Sequence, residues 1–129
     1  MATRPEDWYR QAAHDLAHAR RSLEGEDYGW ACFAAQQAAE KALKALYQKL
    51  GKEAWGHSVF RLLQDLPAEV SAATTLLEHG KGLDKHYIPA RYPNAYPGGA
   101  PYEYYTRSEA ERAVAQADSI IRFCKGFLD

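Results

Sequence analysis

The sequence has little of what a specialised chemical site or a membrane anchor usually shows. It contains only two cysteines, Cys32 and Cys124, and each lies within an apolar helical pattern. Such positions favour buried thiols over a disulfide framework or a zinc site. No apolar run approaches the roughly 18 residues of a membrane span, and the amino end lacks the apolar segment of a signal peptide. We therefore expect a soluble, cytoplasmic protein that uses no metal and no cofactor.

The chain also lacks an excess of charge of either sign. Sixteen basic and seventeen acidic residues leave a formal net charge of -1 over 129 residues. This balance excludes a global field that would draw the protein onto nucleic acid or an anionic membrane, so any anion site must be local. The length suits one compact domain that spans residues 1–129.

Several catalytic templates are absent as well. No serine or cysteine nucleophile has a recognisable base, and no pair of carboxylates has a recognisable setting. The glycines of "PGGAP" are not followed by the lysine and helix start of a phosphate-binding loop. His14 and His18 stand four residues apart and could share a metal ion, but the second ligand pair of a di-metal bundle is missing. We interpret both histidines as surface residues.

Helical periodicity, in contrast, runs through most of the chain. Thr3 and Glu6 have the spacing of a capping box and predict the start of a first helix. An alanine-rich segment predicts a second helix from about Tyr28 to Leu50, where Gly51 offers a carboxyl cap. Small side chains on this helix would let a neighbouring backbone approach closely.

The second half of the chain continues in the same way. Ser58 can cap a short helix that Pro67 stops, and a further helical segment is expected at roughly residues 69–87. Thr106 and Glu109 form another capping box, which predicts the last helix. No alternating strand pattern competes with these helices. The sequence therefore predicts an all-α, antiparallel helical bundle of four long helices and one short helix.

One stretch departs from the helical pattern, "HYIPARYPNAYPGGAPYEYY" at residues 86–105. It holds four of the six prolines and six of the nine tyrosines, grouped around Arg91. Prolines at this spacing cannot continue a helix, and so many aromatic residues argue against disorder. We expect a long loop whose tyrosines pin it to the bundle and hold Arg91 in place. In the alternative interpretation Arg91 pairs with Glu103 or Asp84, and the tyrosines only cover the core.

Two lysines of the second helix could join this arginine. Lys41 and Lys44 share one face, which is ordinarily a solvated surface. If either lysine turned toward the loop, it would form a local positive groove with Arg91, and Tyr92 and Tyr96 could contact the phosphate or the bases of a nucleotide or RNA.

The order of four segments carries a family resemblance. These are "AAQQAAEKALKALYQKLG", "GHSVFRLLQDL", "LDKHYIPARYP" and "TRSEAERAVAQADSII", which together cover most of the chain. In this order they resemble the HEPN domain family. The resemblance implies an up-and-down bundle of five helices that forms a homodimer. It also implies a minimal nucleotidyltransferase as partner, in a toxin–antitoxin type pair.

Many HEPN proteins are metal-independent endoribonucleases that use an arginine and a histidine with four to six residues between them. Arg91 lies in the expected region, but the histidine positions are occupied by Tyr96, Pro97 and Gly98. A tyrosine hydroxyl is far less suited than imidazole to move protons near neutral pH. We therefore expect a non-catalytic module that binds a nucleotide or RNA phosphate. The alternative is an endoribonuclease with a diverged site, in which Arg91 acts with Tyr96 or His86.

Overall fold

The structure, a computed structural model, describes residues 3–129, and those residues form helices and connecting turns without a strand. The all-α helical bundle is confirmed. The helices are α1 (Pro5–Glu24), α2 (Tyr28–Lys49), α3 (Val59–Gln64), α4 (Thr74–Asp84), α5 (Pro101–Tyr104) and α6 (Arg107–Leu128). Within residues 3–129 none of these helices combines the length and the apolar character that crossing a membrane requires.

Contacts between the long helices show their directions. The backbone N–H of Arg4, before α1, donates to Gln48 Oε1 near the end of α2 at 2.8 Å, so α1 and α2 run antiparallel. Arg20, late in α1, donates to Asp118 in α6 at 3.1 Å. Helix α2 packs against α1, α3, α4, α5 and α6. It is therefore the central element of the bundle.

The apolar core follows the alanine-rich face of α2. Leu43 and Leu46 are fully buried there among buried alanines, whose small side chains let α1 and α6 approach closely. The two cysteines belong to the same core and are not paired. Burial raises the pKa of the Cys32 and Cys124 thiols to about 12, so neither is a reactive thiolate near neutral pH. The interpretation of both as buried core residues is confirmed.

Three helix starts were predicted from caps, and two are confirmed. Thr106 accepts the Glu109 N–H at 3.2 Å in a complete capping box, and Ser58 accepts the Arg61 N–H at 3.1 Å. The capping box predicted at Thr3 is wrong. The cap of α1 is Arg4, with no side-chain hydrogen bond, because the helix begins at Pro5 and Thr3 lies one residue too early.

The segment predicted as a helix over residues 69–87 is shorter than expected. A 3-10 turn at Ala68–Val70 comes first, and the backbone at Ser71 and Ala73 is extended, so α4 begins only at Thr74. The proline-rich segment contains a 3-10 turn at Pro93–Ala95 and the one-turn helix α5. A proline at the first position of each turn is tolerated because its missing N–H would have no helical partner there.

Candidate functional site

Arg91 lies on a series of turns that continues from the end of α4. The Arg91 N–H donates to the Ile88 carbonyl at 3.0 Å, and Ala90 is buried against the start of α2. At Gly29 of α2 an added Cβ would lie 3.4 Å from the Ala90 carbonyl oxygen, so a glycine there allows the close approach. This contact places Arg91 beside the next turn of α2, which carries Phe33.

The Arg91 guanidinium is held by a carbonyl and aromatic rings. Its Nε and Nη2 donate to the Tyr87 carbonyl oxygen at 2.9 and 2.7 Å. Its Cζ lies 4.1 Å from the Phe33 ring centroid and 5.1 Å from the Tyr92 ring centroid. Such contacts orient an arginine without cancelling its charge. Within residues 3–129, no carboxylate lies within ion-pair distance of this guanidinium.

The two acids proposed as internal partners of Arg91 have other roles. Asp84 accepts hydrogen bonds from the Ser58 hydroxyl and the Val59 N–H, both at 2.6 Å, and so caps α3. Glu103 accepts the Ala100 N–H at 2.9 Å and caps α5. The pairing of Arg91 with either acid is therefore not what the structure shows.

A histidine from another part of the chain contacts the same tyrosine ring as Arg91. The His57 ring stacks on the Tyr87 ring with centroids 4.8 Å apart, and Arg91 Cζ lies 5.0 Å from that same Tyr87 centroid. His57 Nδ1 lies 3.0 Å from Glu40 Oε2, and its carbonyl accepts the Gln36 side-chain amide at 3.0 Å. Because a carboxylate can only accept a hydrogen bond, the Nδ1 atom of His57 carries the proton. The Nε2 atom makes no hydrogen bond within the described residues.

Glu40 connects this histidine to a lysine of α2. Its carboxylate, 6% exposed, accepts hydrogen bonds from Lys44 Nζ at 2.9 Å and from Gln36. Burial raises the pKa of Glu40, but the hydrogen bonds from Lys44, His57 and Gln36 outweigh it, so the pKa lies below its usual value. The ionised carboxylate can therefore orient the His57 ring. We call Arg91, Phe33, Tyr87, His57 and Glu40 the Arg91 site.

Only some of the residues predicted to accompany Arg91 lie at the Arg91 site. Tyr92 contacts its guanidinium, and Lys44 reaches the site through Glu40. Lys41 instead pairs with Asp15 of α1 at 2.6 Å. Its part in an anion site stays an untested prediction. Tyr96 stacks on Tyr104 with centroids 4.3 Å apart and packs against the core.

His86, the other candidate for the missing histidine, faces the core side of the loop. Its Nδ1 lies 3.0 Å from the Tyr105 hydroxyl, and burial lowers its pKa. Burial, with Tyr96 nearby, raises the pKa of Tyr105. This pair joins the two ends of the segment at residues 86–105 and anchors it. The expectation that tyrosines pin the loop holds for Tyr105 and Tyr96, whereas Tyr102 is 76% exposed.

Sequence reasoning missed Phe33, His57 and Glu40. Their distance along the chain from Arg91 hides the contact, and no motif spacing joins them. One signal was available, since Gln36 and Glu40 stand among alanines on the buried face of α2. Buried polar side chains need partners, and His57 is one of them. Within residues 3–129 no group of three histidine, cysteine or acidic side chains is arranged to hold a metal ion.

The fold and the site define a small helical bundle in which Arg91 is held by a carbonyl and aromatic rings and has no acid partner among the described residues. Residues 5–127 match the sequence profile of the HEPN domain. The chain therefore belongs to the HEPN domain family.

Individual relatives agree with this assignment. The chain is 27% identical over 128 residues to a protein of Methanocaldococcus jannaschii named "Putative toxin MJ1304", with 92% of this chain and 84% of that protein covered. It is 52% identical to TT1696 from Thermus thermophilus, with a TM-score of 0.95 over 98% of this chain and 99% of that one. ST0689, described as an archaeal HEPN homologue, is 44% identical with a TM-score of 0.82, and the coverage is 99% of this chain and 100% of that one.

Proposed function

We propose that this HEPN protein is a non-catalytic module that binds the phosphate of a nucleotide or RNA at Arg91. The observation that supports this is the state of the guanidinium, which is fixed by the Tyr87 carbonyl and the Phe33 ring but has no carboxylate partner within residues 3–129. Its Nη1 makes no hydrogen bond within that part of the chain. A phosphate there would accept hydrogen bonds from the remaining N–H groups of the guanidinium and neutralise its charge.

The module is proposed to act as a homodimer. Trp30 and Ile88 are exposed near the Arg91 site, since the Trp30 ring packs edge-on against Phe33 at 5.8 Å and Ile88 accepts the Arg91 N–H. Large exposed apolar side chains that cluster together favour association. A second copy packed on this surface would lie close to Arg91.

We further propose a minimal nucleotidyltransferase as the protein partner, in a toxin–antitoxin type pair. The support is the similarity to a protein named as a toxin, together with membership in the HEPN family. Co-expression with a minimal nucleotidyltransferase from the same genome tests the pairing. A complex that survives gel filtration is expected, and separate elution of the two proteins would contradict the pairing.

A second candidate function is a metal-independent endoribonuclease with a diverged site. The observation that favours it is His57, whose imidazole contacts the same Tyr87 ring as Arg91 and has Nε2 available. Of the three positions expected for the motif histidine, only Tyr96 carries a side chain that can donate a proton, and it stacks on Tyr104. His57 comes from a different segment of the chain, so it does not restore the ordinary arginine–histidine motif.

One experiment separates the two functions. Binding of ATP and of a single-stranded RNA is measured by calorimetry, and cleavage of the RNA is followed on gels with chelator present. Wild type is expected to bind and not to cleave. Arg91→Ala is expected to weaken binding at least tenfold, and Arg91→Lys to recover only part of the affinity because a bidentate contact is lost.

The matched control is Arg122→Ala, which removes an exposed arginine paired with Asp118 on α6. It should leave binding unchanged. Equal binding by wild type and Arg91→Ala would overturn the proposal. Cleavage by wild type that disappears in both Arg91→Ala and His57→Gln would establish the endoribonuclease instead.

A further inference from the structure

One side-chain contact joins the two ends of the proline-rich segment. His86 Nδ1 lies 3.0 Å from the Tyr105 hydroxyl, and the two ring centroids are 5.4 Å apart. The Tyr105 ring packs on Gly29 of α2, where an added Cβ would lie 3.7 Å from the ring and 3.4 Å from the Ala90 carbonyl oxygen. The His86–Tyr105 pair and the turn before Arg91 therefore pack on the same point of α2.

His86 also directly precedes the residue that orients Arg91. The carbonyl oxygen of Tyr87 accepts hydrogen bonds from Arg91 Nε and Nη2 at 2.9 and 2.7 Å. The N–H groups of Arg91 and Tyr92 both donate to the Ile88 carbonyl, at 3.0 and 3.2 Å, so only one tight turn separates them from Tyr87. A displacement of the His86 ring would therefore move the Tyr87 carbonyl, and the guanidinium would lose its fixed orientation.

The surroundings of His86 disfavour a positive charge. Burial lowers the pKa of the His86 imidazole. Glu109 raises this pKa, but Lys85 and Arg112 lower it, and the pKa lies below its usual value. The hydroxyl of Tyr105 stays neutral because burial raises its pKa. In the folded protein the imidazole therefore stays neutral at a pH where a free histidine is already partly protonated.

We propose that the His86–Tyr105 pair makes the Arg91 site sensitive to pH. With a neutral imidazole the pair is closed, and the guanidinium keeps its orientation. A protonated imidazole is disfavoured in this buried setting, so the ring moves into solvent and the segment at residues 86–105 loosens. The inference rests on the proposed phosphate site at Arg91 and adds a means of regulating it, since the affinity for an anion falls together with the pH.

The direction of this pH dependence follows from proton linkage. In the open segment His86 is exposed and titrates near about 6.5, whereas in the closed segment its pKa is lower. Protons therefore bind preferentially to the open segment, and the closed segment is lost as the pH falls below about 6.5. Protonation of an exposed histidine such as His57 acts in the opposite direction, because added positive charge favours an anion.

The test measures binding of the dinucleotide uridylyl-uridine at pH 7.5 and at pH 5.5, because its phosphodiester keeps one negative charge over this range. The affinity at pH 7.5 divided by that at pH 5.5 should be at least about fivefold larger in wild type than in His86→Asn. Asparagine offers Tyr105 an amide that cannot be protonated. The matched control is His18→Asn, which replaces an exposed histidine of α1 and should keep the wild-type ratio.

A second readout needs no ligand. Hydrogen exchange of the Arg91 and Tyr92 amides, corrected for the intrinsic rate at each pH, reports whether the turn is closed. Protection should fall between pH 7.5 and pH 5.5 in wild type and stay constant in His86→Asn. Tyr105→Phe keeps the ring on Gly29 but removes the hydroxyl, so both amides should already exchange faster at pH 7.5. Cooperative melting at pH 7.5 shows that each variant is folded.

The two readouts separate the ways in which the inference could fail. Constant protection of the Arg91 and Tyr92 amides in wild type would overturn it, whatever the variants do. Equal pH dependence in wild type and His86→Asn would assign the effect to another group and would also overturn it. Uridylyl-uridine binding that is absent, or that Arg91→Ala leaves unchanged, would overturn the proposed phosphate site, while hydrogen exchange would still decide whether the segment opens.

Discussion

At residue scale, the contact between α3 and α4 depends on a glycine. A Cβ added at Gly80 would lie 2.9 Å from both the N and the Cα of Phe60, which is backbone and cannot rotate away. We expect Gly80→Ala to lower the free energy of unfolding by about 1–3 kcal/mol through overpacking. Chemical denaturation followed by circular dichroism measures this change.

Gly126→Ala is the matched control, since Gly126 also lies in a helix and its added Cβ would meet nothing within 4 Å. That variant should be neutral or slightly more stable because alanine favours helix. Equal stability of the Gly80 and Gly126 variants would contradict the close approach of α3 and α4.

Glu40 makes stability depend on pH. The pKa of the Glu40 carboxyl is lower in the folded protein than in the unfolded chain. The ionised carboxylate therefore stabilises the folded protein at a pH above the unfolded pKa, which is about 4.3 for a glutamate. This stabilisation is lost as the pH falls below that value. Glu40→Gln should be less stable at pH 7 by about 1–3 kcal/mol, because Lys44 and His57 lose a charged partner.

The measurement is urea denaturation between pH 7 and pH 3. Stability should fall less steeply on acidification in Glu40→Gln than in wild type. The exposed Glu111 of α6 serves as control, and Glu111→Gln should keep the wild-type profile. Parallel profiles for wild type and Glu40→Gln would contradict the role of the carboxylate.

At the scale of elements, the start of α6 shows how much a helix cap contributes to stability. Thr106 accepts the Glu109 N–H, and Glu109 accepts the Thr106 N–H at 3.1 Å. Thr106→Ala should lower the free energy of unfolding by about 0.5–2 kcal/mol. Thr3→Ala is the control, because Thr3 caps no helix in the structure although it has the same sequence spacing. A cost at Thr3 equal to that at Thr106 would show that α1 begins earlier than the structure indicates.

At the scale of the whole molecule, α2 joins all the other helices. Leu43 of α2 is fully buried, so Leu43→Ala should lower the free energy of unfolding by about 2–5 kcal/mol. If residues 1–129 unfold as one domain, the unfolding transitions followed by circular dichroism and by tryptophan fluorescence should shift together. Separate transitions would indicate two independently folding parts.

The homodimer can be tested on the intact protein in the same way. If the folded state is a dimer, the melting temperature should rise with protein concentration because association stabilises only the folded chain. Calorimetry over a hundredfold range of concentration measures this. A constant melting temperature, together with a monomer mass in sedimentation, would remove the dimer from the proposed function.

Local chemistry in the sequence determined most of the helices. Alanine-rich periodicity marks α2, and the caps at Ser58 and Thr106 mark α3 and α6, because such signals act between residues a few positions apart. The same reasoning placed Arg91 on the proline-rich segment. The same reasoning failed at the starts of α1 and α4, at Thr3 and before Thr74. A helix start can move by a few residues at little cost in free energy, so the sequence there shows no strong pattern.

Only the tertiary structure decided which side chains come together at the Arg91 site. Phe33, His57 and Tyr87 come from three separate segments, and the packing of α2 against the turns after α4 brings them together. The same packing commits Asp84 to the α3 cap and leaves the guanidinium without an acid partner among the described residues. Periodicity records which face of a helix is buried, but not which distant segment covers it, and the site depends on that second fact.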